Sequence, residues 1–307
     1  MKSSRITDLL KTTLRCPRTA RMVFLASAGF ECPYTNFTQV KTDLKSMADE
    51  GVLGRVDVPS RKSGRCEFLY YPKSKAKRLL PELRPFKSTS SLFRPPGTSE
   101  HTLFVSEFVS HFERSAGGLN DRVEILETKK DGNFVSEVIM DADSGGKTVR
   151  LIPDSTFLVD IGGTVNLFFL ELQNHVRSIA SVSKQSVTKT FREKLMKYKA
   201  FQRDFRHHPF IHEAEELYGC RILGFRVLMV TTKNELNRDR LVACARSMGY
   251  GELFHFATME AVRQNNVFTD LMWSLTTLGE NRKVPLIDSR PRKRYHKKTS
   301  SVSASFT

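Results

Sequence analysis

The segment IPDSTFLVDIGGTVNLFFLELQNH, residues 152–175, decides how the middle of this 307-residue chain is read. Gly162-Gly163 separates two runs of β-branched, leucine and aromatic residues, and paired glycines tolerate the positive φ of a two-residue hairpin turn. If Ile161 pairs with Thr164, Asp154 falls directly opposite Glu171. Opposed residues point to one face with Cβ atoms about 4.5–5.5 Å apart. Gln173, two residues on, shares that face. Two carboxylates beside Leu158, Leu167 and Phe169 repel each other in a poor dielectric. Either one takes up a proton or a cation neutralises the pair. Mg²⁺ is the expected cofactor, because it prefers oxygen ligands and keeps waters that can attack a phosphodiester. The bland alternative is an open sheet end where both acids are solvated.

Outward from the hairpin, the pattern predicts an α/β domain over residues 99–280. Thr98 or Ser99 suits the cap of a helix running to about residue 114. Strands are expected near 122–128, 134–141, 148–161 and 165–172. A basic helix follows over 183–205, with Val187, Phe191, Leu195 and Tyr198 inward. A buried strand at 221–232, a helix at 235–248, a strand at 253–257 and a helix from Met259 complete it. This order describes a mixed sheet covered by helices on both faces.

Residues 1–80 read differently. Ile6, Leu9, Leu10 and Leu14 mark a first helix, and Pro17 suits the first position of a second, which Gly29 stops. The third runs from about Asn36 to Glu50, with Val40, Leu44 and Met47 on its apolar stripe and Gly51 at its end. A strand at 52–58, a basic tip with Arg61, Lys62 and Arg65, and a return strand at 67–71 follow. Three helices and a basic-tipped hairpin make a winged helix. Its third helix leaves Asn36, Gln39, Lys41, Thr42 and Lys45 off the apolar stripe, types that suit base edges and phosphates of double-stranded DNA.

Charge supports that partner. The chain carries +16 overall, distributed as +11 over residues 1–98, −2 over 99–280 and +7 over 281–307. Polyanion binding should therefore belong to the ends. A short helix near 75–80 and the Lys-, Ser- and Pro-containing residues 81–98 read as a linker, and residues 281–307 as a basic disordered tail. No apolar run approaches the ~18 residues of a membrane span. The five cysteines are scattered without a Cys-x-x-Cys, which suits a reducing, cytoplasmic setting. The apolar stretch 22–30 follows too long a basic region for a secretory signal.

Gly145-Gly146-Lys147 and Gly162-Gly163-Thr164 lack phosphate-loop spacing and read as turns. His207, His208, His212 and Glu213 read as solvated, since Pro209 interrupts the spacing of His208 and His212.

Pro153-Asp154 and, seventeen positions after Asp154, Glu171-x-Gln173 resemble the PD-(D/E)xK nuclease motif, and the surrounding element order is similar to that superfamily's αβββαβ core. The resemblance implies Asp154 and Glu171 as metal ligands, a restriction-endonuclease-like α/β domain, and Gln173 in the place of the catalytic lysine. Some active members use Gln there, but loss of the lysine often accompanies loss of activity. Lys184 or Lys189 of the following helix could stand in.

Residues 5–280 also resemble the replication-relaxation family of plasmid and mobile-element proteins, through EGVLGRV…EFLYYPKSKAKRLL, HTLFVSEF, IPD…FFLELQ, KLMKYKAF and FRVLMVTT. That resemblance implies a DNA-binding accessory or regulatory protein of plasmid replication or mobilisation, with replication or mobilisation proteins as partners. Its Glu-x-Asp position is Glu171-x-Gln173 here, which points to a degenerate nuclease-like site. The alternatives are an active Mg²⁺-dependent endonuclease and a winged-helix transcription regulator with a ligand- or partner-binding domain.

Overall fold

A computed structural model describes residues 2–58, 67–80, 93–97, 99–119, 122–130, 136–140, 146–174, 186–277 and 282–287. The N-terminal unit holds α1 (Lys2–Arg15), α2 (Ala20–Ala26), α3 (Phe37–Asp49) and the antiparallel pair β1 (Leu53–Val58) and β2 (Glu67–Pro72). Val40, Leu44 and Met47 of α3 are buried as the helical spacing requires, against Leu9, Leu10, Val23 and Tyr70. Pro17 does not begin α2. Arg18 instead exchanges backbone hydrogen bonds with Tyr70 of β2 at 3.0 and 2.9 Å. That extended pairing delays the helix until Thr19, whose hydroxyl accepts from Met22 N. The expected helix near 75–80 is a 3₁₀ turn, Ser74–Arg78.

The second unit opens with α4 (Glu100–Gly117), capped by Ser99, whose hydroxyl accepts from Thr102 N at 3.2 Å. Next come β3 (Val123–Lys130), β4 (Ser136–Met140), β5 (Lys147–Leu151), β6 (Ser155–Ile161) and β7 (Val165–Gln173). Then follow α5 (Ser186–Asp204), α6 (Pro209–Tyr218), β8 (Phe225–Thr231), α7 (Glu235–Ser247), β9 (Phe254–Thr258), α8 (Met259–Gln264), β10 (Trp273–Leu275) and β11 (Lys283–Val284). Seven strands form one sheet in the order β11-β10-β9-β8-β7-β6-β3. The β7-β8-β9 steps are parallel and the others antiparallel, so the sheet is mixed.

Residues alternate strictly across central strand β7. Leu167 and Phe169 enter the core under α5, with Leu195, Tyr198 and Phe225. Phe168 and Leu170 enter the core under α4, with Phe108, Phe112 and Trp273. Both faces of the strand are therefore apolar, as burial between two helix layers requires.

Three differences from the sequence reading matter. Residues 148–161 are not one strand: the chain breaks at 152–154, β5 pairs with β4 in a separate two-stranded sheet, and β6 joins the main sheet. Pro153 lies in that break, where a residue without an N–H cannot continue a ladder. Helix α6 was unforeseen, and Pro209 begins it rather than interrupting it. The short edge strands β10 and β11 carry too little pattern to be read. No helix among the described residues is long and apolar enough to cross a membrane.

Candidate functional site

The hairpin forms in the register that its turn implies. Gly162 and Gly163 take φ values of 61° and 85°, and Ile161 N donates to Thr164 O at 2.9 Å. Pairing continues to Ser155 opposite Leu170 and ends there, one step short of the Asp154–Glu171 pairing that the register would give. Hydrogen-bonded pairs alternate along an antiparallel ladder. Counting by twos from Ile161 and Thr164, the next such pair would be Pro153 with Leu172. Pro153 has no N–H to give, the chain bends, and Asp154 N donates to Leu170 O at 3.0 Å.

This bend redirects the Asp154 side chain. Its Oδ2 accepts from the freed Leu172 N–H at 2.6 Å, and Oδ1 lies 3.0 Å from Nε2 of His101 in the first turn of α4. Glu171 stays on the opposite layer. One Oε1 accepts from the Tyr198 hydroxyl at 2.7 Å, and Oε2 contacts Nζ of Lys194. The two acids thus flank one strand end but draw their donors from different helices.

Glu171 is buried. Burial pushes its carboxyl up to about 7, the charge of Asp154 adds to this, and Lys194 and Tyr198 oppose it. Burial and the neighbouring Glu171 raise the Tyr198 phenol well above its ordinary value. The Tyr198 ring packs 5.6 Å from that of Phe169, which fixes the hydroxyl over the strand. Gln173 ends β7, where its carbonyl accepts from Thr232 N at 3.3 Å.

Sequence reasoning found Asp154, Glu171 and the inward Tyr198, but missed His101 and Lys194. Lys184 lies outside the described residues, as does the side chain of Lys189. A signal for Lys194 was present. Lys194 and Tyr198 are four apart, and both border the stripe of Phe191 and Leu195, so they reach the same place over the sheet. His101 had no such signal, since α4 and β6 meet only in the fold.

Among the described residues no group of three or more His, Cys, Asp or Glu stands in metal-holding geometry. The site offers two carboxylates. A Mg²⁺-like ion needs only one or two, with water in its remaining positions. Glu171, however, is sealed from solvent and both its oxygens already meet donors, so an ion reaching it must displace Lys194 or Tyr198.

The outer face of α3 is exposed. Asn36 caps it, its side chain accepting from Thr38 N at 2.8 Å. Gln39 is exposed, Lys41 Nζ lies 4.7 Å from the Phe37 ring centroid, and Thr42 donates to Thr38 O at 3.0 Å. Lys45 pairs with Asp49 at 2.6 Å. Arg61, Lys62 and Arg65 lie outside the described residues, as does most of the basic stretch after residue 280.

No family model matches the chain, and no curated protein matches it. Among solved structures, the crystal structure of protein VC1899 from Vibrio cholerae aligns at 10% identity with a TM-score of 0.26. The alignment covers 85% of this chain and 50% of that one, so the chain spans about half of that protein. So loose a superposition shows neither fold nor function.

Proposed function

We propose that this chain is a DNA-binding protein in which a winged helix carries a PD-(D/E)xK-type, divalent-ion-dependent nuclease unit. One observation carries the reading. Lys194 of α5 places its ammonium on Glu171, supplying from a helix the positive neighbour that Gln173 cannot supply from the strand. The order α4, β3, β6, β7, α5, β8 around Asp154 and Glu171 supports it. Three helices, a hairpin and the Arg18–Tyr70 bridge support the winged helix.

Asp154 and Glu171 would hold the ion, whose role when bound is Lewis acidity toward a phosphodiester. The protein's own groups do the rest. Leu172 N–H and His101 orient Asp154. Tyr198 orients Glu171. Lys194 offers a cation to the charge that develops on a phosphate in displacement. Exposed side chains of α3 would hold the duplex.

A second reading is a DNA-binding accessory factor without cleavage. Its favouring observation is that both Glu171 oxygens already accept a donor, which a purely structural network would also show. The setting in plasmid or mobile-element replication rests on the sequence resemblance alone.

Nicking of a supercoiled plasmid by the purified chain with Mn²⁺ or Mg²⁺ separates the two. Cleavage that Asp154→Asn and Lys194→Met both abolish supports the nuclease. Absence of cleavage alongside tight duplex binding leaves the accessory factor.

A further inference from the structure

Helix α4 is buried on two sides. Phe108, Val109 and Phe112 pack on the sheet. Ser110 and Glu113 turn instead to the N-terminal unit, where Arg18 is fully buried. Arg18 Nε donates to Thr12 O of α1 at 3.0 Å, and Nη1 donates to Ser110 Oγ at 2.6 Å. Nη2 stands 2.9 Å from Glu113 Oε2, as an ion pair without hydrogen-bond alignment. Its backbone pairs with Tyr70 of β2. Arg15 adds a second cation 3.2 Å from Glu113 Oε1. One residue therefore ties α1, β2 and α4 together.

A further contact lies one turn on. A Cβ on Gly117 would come within 2.7 Å of Gly29 Cα and N and 2.8 Å of Ala28 C. The backbones of the two units touch there. Units that move independently are usually joined by polar, exchangeable surfaces. A desolvated ion pair and a glycine-to-glycine contact are the opposite, since a buried guanidinium that loses its partners is left uncompensated.

We infer that the two units act as one body, with Arg18 the positioning residue that fixes the exposed face of α3 relative to the Asp154–Glu171 site. The same helix carries both ends of the connection. His101, which meets Asp154, precedes Ser110 and Glu113 by roughly 14–18 Å of continuous helix at 1.5 Å per residue. This rests on the nuclease reading and deepens it: cleavage falls at a constant offset from the sequence that α3 recognises, where a flexible tether would scatter it.

Calorimetry on the full chain tests the lock without any activity. The wild type is expected to unfold in one transition, and a duplex selected for binding should raise that transition as a whole. Arg18→Lys keeps a cation beside Glu113 but cannot reach Thr12, Ser110 and Glu113 together. Gly117→Ala presses the backbones apart and leaves every charge in place. Each should split unfolding into two steps, of which the duplex raises one. A wild type that already unfolds in two steps, with one unmoved by DNA, overturns the inference, as does a single transition kept by both variants. Mapping cuts on the same duplex with Mn²⁺ is the second arm. A fixed offset in the wild type and scattered cuts in the variants are expected, and scattered wild-type cuts sink the fixed offset. A wild type that binds but never cuts removes the nuclease reading, and calorimetry still decides the lock.

Discussion

The ammonium of Lys194 rests on a carboxylate oxygen of Glu171, and only 29% and 1% of the two side chains reach solvent. The sequence posed two acids bracketing a hairpin, needing a proton or a cation. For Glu171 the fold supplies a cation from α5, while Asp154 turns to a backbone N–H and a histidine. Burial still dominates, so the proton on Glu171 remains within reach of neutral pH.

Removing Lys194 should therefore be severe. Lys194→Met leaves a buried carboxylate facing only Tyr198. Breaking a buried ion pair costs about 3–5 kcal/mol, and uptake of a proton by Glu171 should hold the loss near the lower end. Lys194→Met with Glu171→Gln should recover most of it. Urea melts at pH 8 check both; a double variant as unstable as the single one would show that the pair is not the source.

Glu171 also sets a pH dependence of stability. Its folded value near 7 lies above the ordinary 4.5, so between these the native state holds a proton that the unfolded chain has lost. Its contribution is thus fully present below about pH 4.5, declines as pH rises to about 7, and is flat above. At roughly 1.4 kcal/mol per unit the span is on the order of 3 kcal/mol. The wild-type stability curve minus that of Glu171→Gln should show this fall. A rise over the same window would mean that Lys194 overcomes burial.

Divalent ions should reverse that loss. Millimolar Mg²⁺ or Mn²⁺ at pH 7.5 should raise the melting temperature in proportion to site occupancy. Asp154→Asn or Glu171→Gln should abolish the rise. Equal shifts in wild type and both variants would place the ion elsewhere.

On the DNA side the structure separates residues that the sequence grouped together. Lys41→Ala should weaken duplex binding and flatten its salt slope by about 0.9, as one lost phosphate contact does on B-DNA. Lys45 is paired with Asp49, so Lys45→Ala should change less. Gln39→Ala should alter sequence preference. Asn36→Ala should cost about 1 kcal/mol of stability through the lost helix cap, whatever its effect on DNA. Titrations at several salt concentrations, with parallel thermal melts, distinguish these outcomes.

What the sequence determined by itself is local. Two glycines with positive φ set the hairpin and its register as far as Ser155 opposite Leu170, and the spacing of Val40, Leu44 and Met47 buried one stripe of α3. Each follows from backbone sterics or from periodicity within one element. The tertiary structure decided which donors those acids meet. The bend at Pro153 turns Asp154 toward the Leu172 N–H, but His101 reaches it only because α4 crosses that strand end. Lys194 and Tyr198 reach Glu171 only because α5 packs across the sheet after a crossover between parallel strands. Those partners lie 23 to 53 residues apart along the chain. No local pattern records such distances; packing of whole helices onto a twisted sheet does.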